Sequence, residues 1–194
     1  MNPEICLVRA VRAGEWRAVK QLRLEALRDP IAHLAFMETY EEALARPESF
    51  WRERAQRGAG EADSGARQFI AEGPGGEWGG SLTVIVEEAG STDWAGFPVE
   101  RRQRHVVGVF VRPEWRGLGV AEELFRAGVE WAWGIGLERV RLIVHEENVR
   151  AQGLYRKVGF RASGVTVPLE GSGGSSELEF VWERGDGGEG PSEH

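Results

Sequence analysis

Arg116, Gly117 and Gly119 stand between two segments of opposite character, and they are the residues from which chemistry can first be read. An apolar run, Val109-Phe110-Val111, ends at Arg112-Pro113, and a glycine-bearing loop then opens directly into an amphipathic helical pattern. The first amides of a helix have no intrahelical acceptor and carry the positive end of its dipole, so an anion supplies what they lack. Gly117 and Gly119 let the backbone approach that anion with no Cβ in the way, and Arg116 adds a permanent charge. A phosphate group suits such a junction. It is not a P-loop, because no Gly-Lys-Ser/Thr follows, and it lacks the third glycine of a dinucleotide loop. An ordinary strand-to-helix turn is the competing reading.

A second block follows. Arg139 to Val144 reads as a buried strand, and Asn148 then precedes a helical pattern with Ala151, Leu154, Tyr155 and Val158 on one face. Asn148 suits an N-cap and Gly159 the position just past the helix end.

The strings Arg116-x-x-Gly119-x-Ala121 and Asn148-x-x-Ala151-x-x-Leu154-Tyr155-x-x-x-Gly159-Phe160 together resemble the two signature motifs of the GNAT superfamily, the Gcn5-related N-acetyltransferases. The likeness covers residues 105 to 160. It implies an α/β fold with a mixed, mostly antiparallel sheet, a splayed parallel strand pair and flanking helices. It implies acetyl-CoA as co-substrate, its pyrophosphate on Arg116, Gly117, Leu118, Gly119, Val120 and Ala121, and its pantetheine arm along the main chain of Val109, Phe110 and Val111. Asn148, Ala151 and Leu154 would complete the cofactor wall, and Tyr155 stands where the family keeps its general acid. The reaction implied is direct attack of a primary amine on the acetyl group in a ternary complex. A non-catalytic acyl-CoA-binding or regulatory domain on the same scaffold is the alternative, and Tyr155 argues against it.

Acetyl transfer to an amine needs a proton acceptor as well. His105, at the start of the strand before the loop, has the intrinsic pKa for that role, with Glu38, Glu41, His145 or a water chain as rivals. The acceptor side is expected at Phe36, Glu38 and Tyr40, where aromatics beside carboxylates suit an amine through cation–π and ion-pair contacts. They suit a plain amphipathic helix equally well.

The elements that must position these residues are legible in outline. Strands are expected over Glu4 to Ala10, Arg67 to Glu72, Trp78 to Glu87, His105 to Arg112, Arg139 to Val144, Ala162 to Leu169 and Glu177 to Trp182. Helices are expected over Gly14 to Arg28, over Ile31 to Arg57 with a break at Arg46-Pro47, over Gly117 to Trp133 and after Asn148. Glu88 to Arg104 reads as a long polar loop, in which Trp94 and Phe97 are candidates to close over the site. Residues 1 to 182 form one domain in this reading, and the polar, glycine-rich residues 183 to 194 a disordered tail.

The 194 residues, 41% of them apolar, suit one domain with a real core. A net charge of −7 argues against a nucleic-acid binder and is compatible with a cationic amine. No stretch has the length of a membrane span and the N-terminus lacks a signal-peptide core, so a cytoplasmic protein, monomer or homodimer, is expected. The acceptor is either a small-molecule amine or a protein amine. No metal site is expected. Cys6 is the single cysteine and reads as a small apolar residue rather than a nucleophile.

Overall fold

The computed structural model describes residues 6–60, 65–93, 98–134, 136, 139–168 and 176–184. Among the described residues, runs rich in apolar and β-branched side chains form seven strands: β1 (Leu7–Ala10), β2 (Ala66–Glu72), β3 (Trp78–Glu87), β4 (Gln103–Val111), β5 (Arg139–His145), β6 (Arg161–Pro168) and β7 (Ser176–Glu183). They form one sheet in the order β1-β2-β3-β4-β5-β7-β6. Every neighbouring pair is antiparallel except β4 and β5. The fold is therefore the single α/β domain expected from the sequence, parallel pair included.

Five helices flank the sheet: α1 (Trp16–Ala26), α2 (Tyr40–Ala45), α3 (Glu48–Gly58), α4 (Val120–Gly134) and α5 (Val149–Lys157). The apolar stripe of α4 meets one sheet face in a core of Leu124, Phe125, Leu82, Val84, Leu142 and Phe180. On the other face α1 and α3 bury Val19, Leu22, Trp51 and Ala55 against Ile70, Trp78 and Phe110. The region from Ile31 to Arg57 is less helical than its composition suggests. A single 3₁₀ turn, Ala32–Leu34, precedes α2, whose start is set by Thr39 and Glu42 in a capping box.

β4 is the strand on which the rest depends. Ser81 of β3 faces Phe110 and Thr83 faces Val107, so β4 carries one residue more than its neighbour between these points. Gly108, at φ 64°, takes up the extra residue in the left-handed region that suits glycine. On its other edge β4 pairs with β5 only through Arg104, His105 and Val106, against Val140, Arg141 and Leu142. Beyond the bulge the two strands part.

The expectations for Trp94 and Phe97 fall outside the described residues, as does the proposed tail from residue 185 onward. Glu183, placed in the tail by sequence, is the last residue of β7.

Candidate active site

The gap where β4 and β5 part opens into a cavity of about 350 Å³, within the range of small-molecule and cofactor sites. Its walls bring together residues that are far apart in sequence. Val109, Phe110 and Val111 supply one side, Arg116, Gly117, Val120 and Ala121 the mouth, and Asn148, Ala151, Leu154 and Tyr155 the opposite side. Phe36 closes it on the α1 side.

The loop at the mouth is shaped by its glycines. Gly117 and Gly119 have φ of 78° and 83°, which turns the chain into α4, beginning at Val120, whose first amides lack intrahelical acceptors. Arg116 itself is tied down. Its Nε donates to the Val111 carbonyl at 2.9 Å, and its Nη2 bonds the Asp29 carboxylate, which is nearly buried. Burial pushes the Asp29 carboxyl up, but Arg116 and the Ile31 amide outweigh it and hold the group below its ordinary range. Arg116 thus braces the loop against the end of α1, and Arg150, exposed on the cavity wall, adds its field at Asp29. Asp29 had only the look of a helix terminator in sequence, and nothing marked Arg150.

Trp115 forms part of the same wall, seated flat on β3. A Cβ at Gly79 would lie 2.1 Å from its ring, and one at Gly73 2.7 Å from it, so two glycines make the seat. On the far wall Asn148 caps α5 by accepting from the Ala151 amide at 3.2 Å. Tyr155, one turn on, packs edge-on to Phe125 at 5.5 Å and Phe180 at 6.2 Å. Burial pushes its phenol well above the ordinary tyrosine value, with the Glu177 carboxylate adding to the shift. Its hydroxyl has no hydrogen-bond partner among the described residues, although the residue lines the cavity.

Several expected site residues lie elsewhere. His105 is 2% exposed, outside the cavity wall, and its Nδ1 meets Glu87 Oε1 at 2.9 Å. It belongs to a buried polar cluster in which Arg141 also binds Glu87, Asp93 and Glu179. Burial opposes ionisation of Glu87, yet His105 and Arg141 together bring its carboxyl down to about 2. Glu38 is taken by Arg23 at 3.2 Å and Arg46 at 3.4 Å, and the Tyr40 hydroxyl by Arg28. His145 Nδ1 accepts from the Glu147 amide at 3.2 Å. Leu118 and Gly119 belong to the mouth loop without forming part of the wall. Cys6 is half-buried against the α4 core, and burial raises its thiol.

The sequence pattern of the acetyltransferase (GNAT) family matches residues 36–160. The chain belongs to that family. A putative [ribosomal protein bS18]-alanine N-acetyltransferase of Bacillus subtilis (strain 168) is 30% identical over 99 residues, which are 51% of this chain and 65% of that protein. The chain thus spans less than two thirds of that relative. An acetyltransferase of the GNAT family from Streptococcus pneumoniae superposes with a TM-score of 0.71 at 15% identity, over 92% of this chain and 99% of that one. The PaiA N-acetyltransferase from Thermoplasma acidophilum, solved in complex with coenzyme A, gives 0.68 at 13% identity over 92% and 99%. These likenesses show the GNAT fold. Acetyl-CoA use is general for the family.

Proposed function

We propose that this chain moves the acetyl group of acetyl-CoA to a primary amine by direct attack in a ternary complex. What carries the reading is one cavity that joins the start of α4, the free edge of a parted strand and a buried tyrosine. The amides from Gly117 to Ala121 would take the pyrophosphate, helped by Arg150. The β5-facing edge of Val109 to Val111 has lost its strand partner, so its main-chain groups, apart from the Val111 carbonyl that Arg116 takes, are open to an extended arm that bonds as a strand does.

Acetyl-CoA supplies an activated thioester. The protein supplies a dry wall, main-chain donors near the bulge and a proton at Tyr155 Oη. A phenol held above its ordinary pKa remains protonated at neutral pH, so Tyr155 is ready to protonate a departing thiolate. Among the described residues, the carboxylates of the cavity wall are both engaged, Asp29 with Arg116 and Glu122 with Lys157 at 2.5 Å. Together with the burial of His105, this favours loss of the amine's proton through water rather than to a side chain. A pure binding domain has no use for an unpartnered tyrosine hydroxyl at this place. The test is calorimetry with CoA followed by free-CoA release over an amine panel: binding and turnover are expected, and absence of CoA binding refutes the reading.

A further inference from the structure

A second, much smaller cavity lies behind Phe36 and Phe110, which it shares with the first. Its wall holds two cations, Arg23 and Arg54, two buried neutral groups, Gln68 and Ser81, and the bulge residue Gly108. No carboxylate lines it. Arg23 is bonded to Glu38 and lies over the Phe36 ring at 4.3 Å. Arg54 is different. It projects from α3 beneath α1, and among the described residues it has no hydrogen bond, ion pair or ring contact. Burial lowers its pKa to about 10, Arg23 pushes the same way, and the opposing field of Glu38 does not restore it.

A partly buried guanidinium that feels Glu38 only at a distance and has no direct ion pair is costly to keep, since charges removed from water are ordinarily paired. Among the described residues the side chains of the two neutral neighbours, an amide and a hydroxyl, also have no hydrogen-bond partner, and each residue is 6% exposed. All three residues line the one small void and carry groups able to donate, so an anion is the component that would complete them. The void is about 10 Å³, room for roughly one water-sized group, which suits a carboxylate oxygen and not a phosphate.

We infer that the acceptor is a small amine carrying a carboxylate close to its amino group, as an amino acid does, with that carboxylate held by Arg54, Gln68 and Ser81. The inference rests on the acetyltransferase reading and deepens it. A carboxylate at Arg54 leaves the amine end of the molecule on the Phe110 side, where the two cavities share a wall. In a polypeptide N-terminus the α-carboxylate is replaced by a neutral amide carbonyl.

The test uses matched sets of amino acid, its amide and its decarboxylated amine, assayed by free-CoA release with the wild-type protein, Arg54→Gln and Arg54→Lys. In the wild type the acids should exceed their amides in kcat/KM by about 30-fold or more, the scale of losing one partner of a desolvated charge pair. Arg54→Gln should abolish that preference through KM, and Arg54→Lys should keep part of it. Calorimetry with CoA checks that each variant retains its cofactor site, and Arg54→Gln should melt no lower than wild type because it removes an unpaired charge. Should Arg54→Gln fail to fold, the wild-type comparison and Arg54→Lys decide. Equal turnover of acids and amides, or an unchanged preference in Arg54→Gln, overturns the inference and leaves the acetyltransferase reading standing. Binding of CoA with turnover of no amine overturns both.

Discussion

Replacing Tyr155 by phenylalanine separates chemistry from packing, because the structure gives the ring and the hydroxyl different work. The ring contacts Phe125, Phe160 and Phe180 at 5.5, 6.5 and 6.2 Å between centroids, and a phenylalanine would keep all three. The hydroxyl has no protein partner among the described residues, so removing it strands no donor or acceptor and should leave the melting temperature within a degree or two of wild type. Its chemical loss is larger. A thiol pKa near 8.5 means that the thiolate leaves poorly without a proton, and general acids are worth about 10²–10⁴ in rate. Turnover should fall by at least about 10²-fold, or roughly 2.7 kcal/mol of barrier, with CoA affinity unchanged. Because burial raises the phenol above its ordinary value, wild-type kcat should also show no alkaline loss up to about pH 10, where a free tyrosine begins to ionise. Single-turnover assays with calorimetry of CoA and thermal melts decide the matter. Wild-type turnover in Tyr155→Phe, or a loss matched by a collapse of stability, would refute the acid role.

Ala121→Glu puts a carboxylate on the first turn of α4 without backbone strain; CoA affinity should fall about tenfold or more by calorimetry, with circular dichroism retained. In Gly79→Ala the new Cβ meets Trp115 at 2.1 Å, so the indole must leave its seat, costing about 1–3 kcal/mol in denaturant melts and shifting tryptophan fluorescence. Glu87→Gln removes the charge shared by His105 and Arg141 and should cost roughly 3 kcal/mol. The Glu87 carboxyl is depressed from 4.5 to about 2, so its contribution is complete above pH 4.5 and is lost as pH falls toward 2; the variant's acid-unfolding curve should be shallower across that window.

The elements that hold the cavity were readable because their signals are local. Asn148 and Gly159 bracket α5 as capping residues do, and β3 spans Trp78–Glu87 as its alternation predicts. The two motifs carried the likeness, and most of the residues they supply line one cavity together with Phe36. Tertiary pairings were not readable. Nothing in Gly108 announces a bulge rather than a turn, since its role depends on which residue of β3 faces it. Nothing in the sequence shows that Arg116 also bonds Asp29, 87 positions away. His105 suits a base by residue type, yet in the fold its ring is buried against Glu87 on the adjacent strand. Arg54 was one arginine in an exposed-looking helix, and only the packing of α3 under α1 turns it inward.

The parting of β4 and β5 has a mechanical consequence. Three residue pairs are the whole backbone splice between the β1–β4 portion of the sheet and the β5–β7–β6 portion. α4 lies across the first portion, and the second reaches it through aromatic contacts such as Tyr155 and Phe160 on Phe125. An extended ligand in the opening acts as a suture that ties the two portions along the length the splice leaves free. Ligand saturation at a hundred times Kd adds about 2.7 kcal/mol to any fold that binds only when native. Here that gain falls on one seam, so amide exchange in β5 and β7 should slow on ligation far more than in β1 and β2, and the molecule's resistance to being pulled apart would track the supply of its co-substrate.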